Sequence, residues 1–115
     1  MAGEQKFYIG RVWFFFWAHV DADGAAVDEF ATNTYYVALV KKSTIATDQT
    51  PIVRLECEKT LATGDLYAEY AAANTASLAP GAYQIFYEAY DSSGRQIGLA
   101  DRTISVERAP DWEVA

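Results

Sequence analysis

Val12-Trp13-Phe14-Phe15-Phe16-Trp17-Ala18-His19-Val20 is the most apolar run of the chain and holds two of its three tryptophans. A β-strand sends alternate side chains to opposite faces. One face of this run then carries Val12, Phe14, Phe16, Ala18 and Val20; the other carries Trp13, Phe15, Trp17 and His19. Both faces are apolar, and the second is the larger. One can fill a core. The other needs a cover from this chain or from another molecule, or it is a platform for a ligand. The expectation drawn here is that Trp13, Phe15, Trp17 and His19 form the contact face, since each large aromatic brings roughly 150–250 Å² to an interface. The run is far below the ~20 residues that span a bilayer. It is short, aromatic rather than Leu/Ala-rich, and lacks a convincing small-x-small cleavage site, which argues against a signal peptide.

Working outward, Phe7 to Val20 reads as one long strand or as two broken near Gly10. Asp21-Ala22-Asp23-Gly24 is a turn, with Asp side chains bonding nearby N–H groups and Gly accepting positive φ. Ala25 to Thr34 is a connection anchored by Val27 and Phe30. Tyr35 to Lys42 is a second strand. Ser43 to Pro51 is a polar loop. Ile52 to Lys59 alternates cleanly, with Val53, Leu55 and Cys57 predicted inward and Arg54, Glu56 and Glu58 outward. Thr63-Gly64-Asp65 turns the chain. Leu66 to Ala73 reads two ways: a strand with Leu66, Ala68 and Tyr70 inward, or a short helix capped by Asp65. The strand reading is preferred. Ala79-Pro80-Gly81 is a turn, Ala82 to Tyr90 a strand, and Asp91-Ser92-Ser93-Gly94 a hairpin connection. Gln96 to Glu107 is the last strand. Its inward set changes phase between Ile97/Leu99 and Ile104/Val106, which predicts a β-bulge near Asp101.

Six or seven strands between turn signals, with no helix-length periodicity, predict an all-β fold. The expected form is a single antiparallel Ig-like β-sandwich over 1–115, with its core at about 7–107 and a C-terminal tail at 108–115. The Cys…Trp…Cys hallmark of immunoglobulin domains is missing. A chain of 115 residues is one domain on length and buries enough surface for a core without staples.

The composition excludes several classes of function. Acids outnumber bases 16 to 9 and the formal charge is −7. Binding to nucleic acid or anionic lipid needs a Lys/Arg surplus, so neither is expected. With Cys57 the only cysteine, an intrachain disulfide and thiolate clusters are impossible, and Cys57 reads as a small buried hydrophobe. His19 is the only histidine, which rules out a two-His zinc site. No nucleophile-elbow glycines flank it to support a Ser-His-Asp triad. Asp21-x-Asp23-Gly24 matches only the beginning of a calcium loop and reads as a hairpin turn. Glu56 and Glu58, expected on one strand face, look like a glycosidase carboxylate pair but read as solvated surface. No Gly-rich phosphate loop is present. The expectation is no enzyme activity, no metal and no cofactor.

Two segments carry a resemblance. Leu78-Ala79-Pro80-Gly81-Ala82-Tyr83-Gln84-Ile85 is similar to the L-x-P-G-x-Y corner of Ig-like sandwich modules. Tyr87-Glu88-Ala89-Tyr90-Asp91-Ser92-Ser93-Gly94 follows it with their D-x-x-G ending. In layout, residues 7–107 resemble the small β-sandwich domains of bacteriophage virion proteins, such as baseplate and capsid accessory domains. The resemblance implies a structural protein of a phage virion, capsid decoration or tail, assembled in the host cytoplasm. Its partners would be itself or other virion proteins. The contact residues expected are Trp13, Phe15, Trp17, His19, Phe86 and Tyr90, with Trp112 and Val114 in a docking tail. The alternative expectation is a carbohydrate-binding module that stacks sugars on the same aromatics.

Overall fold

The computed structural model describes residues 5–42 and 50–108. The strands are β1 (Gln5–Ile9), β2 (Trp13–Ala18), β3 (Thr34–Lys41), β4 (Val53–Glu56), β5 (Glu58–Thr60), β6 (Asp65–Tyr70), β7 (Gly81–Tyr90) and β8 (Gln96–Arg108). One helical turn, α1 (Ala72–Thr75), lies between β6 and β7. The fold is mostly β, in two sheets ordered β1-β8-β7-β3-β4 and β2-β6-β5.

The expected all-antiparallel arrangement does not hold. β1 runs parallel to β8, from Gln5 opposite Ile104 to Ile9 opposite Arg108, so the larger sheet is mixed. The cause is local to Gly10. Its φ of +83° suits glycine, and the Arg11 N–H donates to Tyr8 O at 3.2 Å. The chain turns there and leaves for the other sheet, so β1 never pairs with β2. A buried threonine on α1 holds this turn: Thr75 Oγ1 accepts the Gly10 N–H at 3.1 Å and donates to Arg11 O at 2.7 Å.

The chain changes sheets again at Cys57. The strand predicted over Ile52 to Lys59 is therefore two strands. β4 pairs with β3, Glu56 lying opposite Tyr36. The Cys57 N–H donates to Tyr35 O at 2.8 Å, and β5 then pairs with β6, Glu58 lying opposite Tyr67. Glu56 and Glu58 accordingly stand on different sheets and do not share a face.

The segment 66–73 resolves into strand to Tyr70, with Leu66, Ala68 and Tyr70 buried, and then the helical turn. The irregularity expected near Asp101 sits earlier in β8. Ala89 pairs with Gly98 and Tyr90 with Gln96, which leaves Ile97 as the extra residue. From Gly98 onward the strand keeps one parity, so Leu99 faces solvent and Ile104 and Val106 face the core. Two turns use the same device. Asp21 Oδ1 accepts the N–H groups of Asp23 and Ala25, and Asp91 Oδ1 those of Ser93 and Arg95, with Gly24 and Gly94 at positive φ.

The core is one continuous cluster between the sheets. The larger sheet contributes Tyr35, Val37 and Leu39 of β3, Tyr83, Ile85 and Tyr87 of β7, Ile104 and Val106 of β8, and Phe7 of β1. The smaller sheet answers with Trp13, Phe15, Leu66, Ala68 and Tyr70, and Phe30 of the β2–β3 connection closes one side.

Candidate contact surface

The two faces of β2 have opposite fates. Trp13 and Phe15 are 2% and 1% exposed, in the middle of the core. Their rings meet Phe7 at centroid distances of 5.1 and 5.4 Å, across the gap between the sheets. The Trp13 indole N–H donates to Tyr8 O at 2.8 Å. Trp17 is half-buried between Tyr35 at 5.5 Å and Tyr87 at 5.2 Å, and its N–H reaches Cys57 Sγ at 3.4 Å. Burial pushes the Cys57 thiol up, only partly offset by that N–H, so it is a poor nucleophile. His19 shares a 2.7 Å hydrogen bond through Nδ1 with Tyr35 Oη, and that oxygen also accepts the Asn33 side-chain N–H at 3.0 Å. The four residues expected to form a contact face thus line the interior side of the strand. The physical reason is area. The face with two tryptophans gains most from leaving water, at about 25 cal/mol per Å².

The outward face is the other one. Phe14 is 41% exposed and Phe16 62%. Phe14 lies against Phe16, with centroids 6.3 Å apart and planes at 25°. Phe16 in turn lies 6.4 Å from Tyr67 on β6. The strip ends at Ala18, and a depression of about 270 Å³ beside it is lined by Phe16, Trp17, Thr60, Asp65, Leu66 and Tyr67. Carboxylates border the aromatics on the side away from β2's outer edge. Glu69 stands opposite Phe14 and Asp65 opposite Ala18, while Glu58 stands opposite Tyr67. The Glu58 carboxylate holds the Tyr67 phenol above its usual range. None of the ion pairs among the described residues involves these three acids. Lys59, the nearest cation along the chain, turns its ammonium to the carbonyls of Ala31 and Asn33 at 2.9 and 2.7 Å.

Phe86 and Tyr90 stand far from this strip, half-buried on the outer face of the larger sheet. Tyr90 meets Tyr36 edge-on at 5.9 Å. The Arg54 guanidinium lies over the Tyr36 ring at 3.8 Å and is paired with Glu88 through two N–H groups at 3.3 Å. A groove of about 490 Å³ runs past this cluster to Asp91, Ser92 and Gly94. Phe86 lines a second, smaller groove with Ala38, Val40 and Leu99. Trp112 lies outside the described residues. Among those residues, no group of three or more His, Cys, Asp or Glu side chains converges on a point.

The chain matches no family model, no curated protein and no solved structure.

Sequence reasoning found the strand and both of its faces but placed the solvent on the wrong one. Phe14 and Phe16 were legible as a face. Tyr67 was not, because its place beside Phe16 depends on the β2–β6 register.

Proposed function

We propose that this chain is an Ig-like β-sandwich that acts by protein–protein contact, through the aromatic strip of Phe14, Phe16 and Tyr67. Support for the Ig-like reading comes from the strand order. β2, β6 and β5 take the places of strands B, E and D, and β3, β7 and β8 those of C, F and G, with β4 in place of C′. Further support comes from Tyr83, near the start of β7. Its hydroxyl donates to Ala79 O, four residues upstream, at 2.6 Å, the tyrosine corner of such sandwiches. The sequence resemblance extends the reading to a structural protein of a phage virion, with itself or other virion proteins as partners and no catalytic role.

The observation that carries the contact reading is the outward exposure of two stacked phenylalanines on one strand. Aromatics are the usual anchors of protein interfaces, and an exposed aromatic strand without a partner is an aggregation hazard. A photo-crosslinking phenylalanine analogue at Phe16, in cells making the protein, is expected to trap a protein adduct of discrete mass. The same label at Gln96 is expected to trap none. Absence of any adduct at Phe16, or a saturable spectral response of the aromatics to oligosaccharides alone, would overturn this reading in favour of the glycan-binding alternative.

A further inference from the structure

The described residues leave four strand edges: β1 and β4 in the larger sheet, β2 and β5 in the smaller. Exposed edges are normally blunted by charged side chains, proline or bulges. Three of the four follow that rule. β1 carries Lys6, β4 carries Arg54 and Glu56, and β5 carries Glu58 and Lys59. β2, Trp-Phe-Phe-Phe-Trp-Ala, has no charge and no proline, and its pairing with β6 runs without a register shift from Trp13/Tyr70 to Ala18/Asp65. In an antiparallel pair, alternate residues turn their N–H and C=O groups to the partner strand. The remaining residues of β2 turn theirs to the side where no described strand lies. The edge without a guard is also the edge that carries the aromatic strip.

Charge narrows what fits there. Across the outer face of the smaller sheet, aromatics occupy β2, while Glu69, Asp65 and Glu58 occupy β6 and β5. A second copy laid on this face would set those acids against their like, which is unfavourable. A strand added beside β2 would lie about 10 Å from β6 at the usual spacing. A Lys or Arg side chain and the Glu69 carboxylate together span that gap. The stem would cover Phe14 or Phe16, and the cation would meet a ring face with its head at Glu69.

We infer that the open edge of β2 accepts an extended basic segment of a partner protein as an added strand, with Lys or Arg on its outward side. The mode is β-augmentation: main-chain hydrogen bonds hold the segment, and the alternating side chains select it. This inference rests on the contact reading of the same face and gives that partner its chemistry.

The test uses a blocked, labelled peptide of alternating lysine and valine, its glutamate–valine counterpart, and the full chain. Phe16→Ser and Glu69→Lys are exposed substitutions that keep the core, to be verified by circular dichroism. The lysine peptide is expected to bind the wild-type protein and to weaken as salt rises. About tenfold loss of affinity is expected in each variant, with the glutamate peptide binding poorly throughout. Equal binding of the two peptides, binding indifferent to both substitutions, or no binding up to millimolar concentration would overturn the inference. So would a stable homodimer whose formation Phe16→Ser abolishes. If the crosslinker at Phe16 still traps a protein while the lysine peptide fails, the contact reading stands and only the basic-strand inference falls.

Discussion

Phe15 and Phe16 are neighbours in the chain and opposites in the fold. Phe15 is 1% exposed against Phe7 and Trp13; Phe16 is 62% exposed on the outside of the same strand. Residue type does not separate them; parity does. The parity is set by which face of β2 brings more apolar area to the gap between the sheets. The comparison teaches that an apolar strand can hold the fold with one face and remain available with the other. The available face need not be the one with the largest side chains. The two sheets repeat the contrast on their outer faces. On the larger sheet, Tyr36 and Tyr90 are engaged by Arg54, itself paired with Glu88. On the smaller sheet, Phe14 and Phe16 stand beside acids that no described cation pairs.

The sharpest way to break the comparison is truncation on the two sides of β2. Phe15→Ala is expected to cost about 3–5 kcal/mol through lost transfer energy and a cavity, a large share of a typical domain's 5–15 kcal/mol. Urea denaturation would measure it, and a cost below about 1 kcal/mol would mean that this face is not the core.

Next in size is Gly64→Ala, at the turn that joins β5 to β6. Gly64 has a φ of +80°, and a Cβ there would sit 2.8 Å from His19 O and 3.0 Å from the Ala26 Cα. Backbone strain and the clash together are expected to cost about 2–3 kcal/mol. Because Gly64 O accepts the His19 N–H at 3.0 Å, the amide of His19 should lose protection from hydrogen exchange in the same variant.

The inner face also predicts a pH dependence. Burial is the main cause that raises the Cys57 thiol and the Tyr35, Tyr83 and Tyr87 phenols. A raised acid binds its proton more tightly folded than unfolded. Its contribution is therefore complete below the unfolded pKa and is lost as pH rises through the folded one. Stability should fall above about pH 8.5, where an unfolded thiol begins to ionise. Cys57→Ala should flatten the first part of that fall in denaturation curves collected from pH 7 to pH 10.

The smallest effect is the most informative about function. Phe16→Ser removes a side chain that is mostly in water and should change stability by no more than about 0.5 kcal/mol. A cost near that of Phe15→Ala would mean that something covers Phe16 and that the outer face is part of the folded monomer's own packing.

Much of the fold was legible because its cues are local. The Asp-x-x-Gly turns at Asp21 and Asp91, the corner at Pro80-Gly81, the existence of β3 and β7 as strands, and the inward set of β6 follow from side-chain chemistry within a few residues. Three features were not legible for the converse reason. The sheet change at Cys57 sits inside an unbroken alternation, since Val53, Leu55 and Cys57 all face inward whichever sheet they join. The parallel β1–β8 pair is a contact between the two ends of the chain. The outward face of β2 depends on what the opposite sheet offers it, and Phe7, Tyr35 and Tyr87 meet it only in three dimensions. The contact face was readable as a pair of alternatives and was decided by packing.

The central claim is that β2 has one occupied side and one open edge. Residue-resolved hydrogen exchange along Trp13 to Ala18 tests it most directly, in the protein alone and with the lysine–valine peptide. The account predicts alternation in the free protein, with amides directed at β6 protected and those directed at the open edge exchanging fast. The peptide should then protect the fast set. Uniform protection of all six amides without the peptide would show that the edge is already covered, and would contradict the claim.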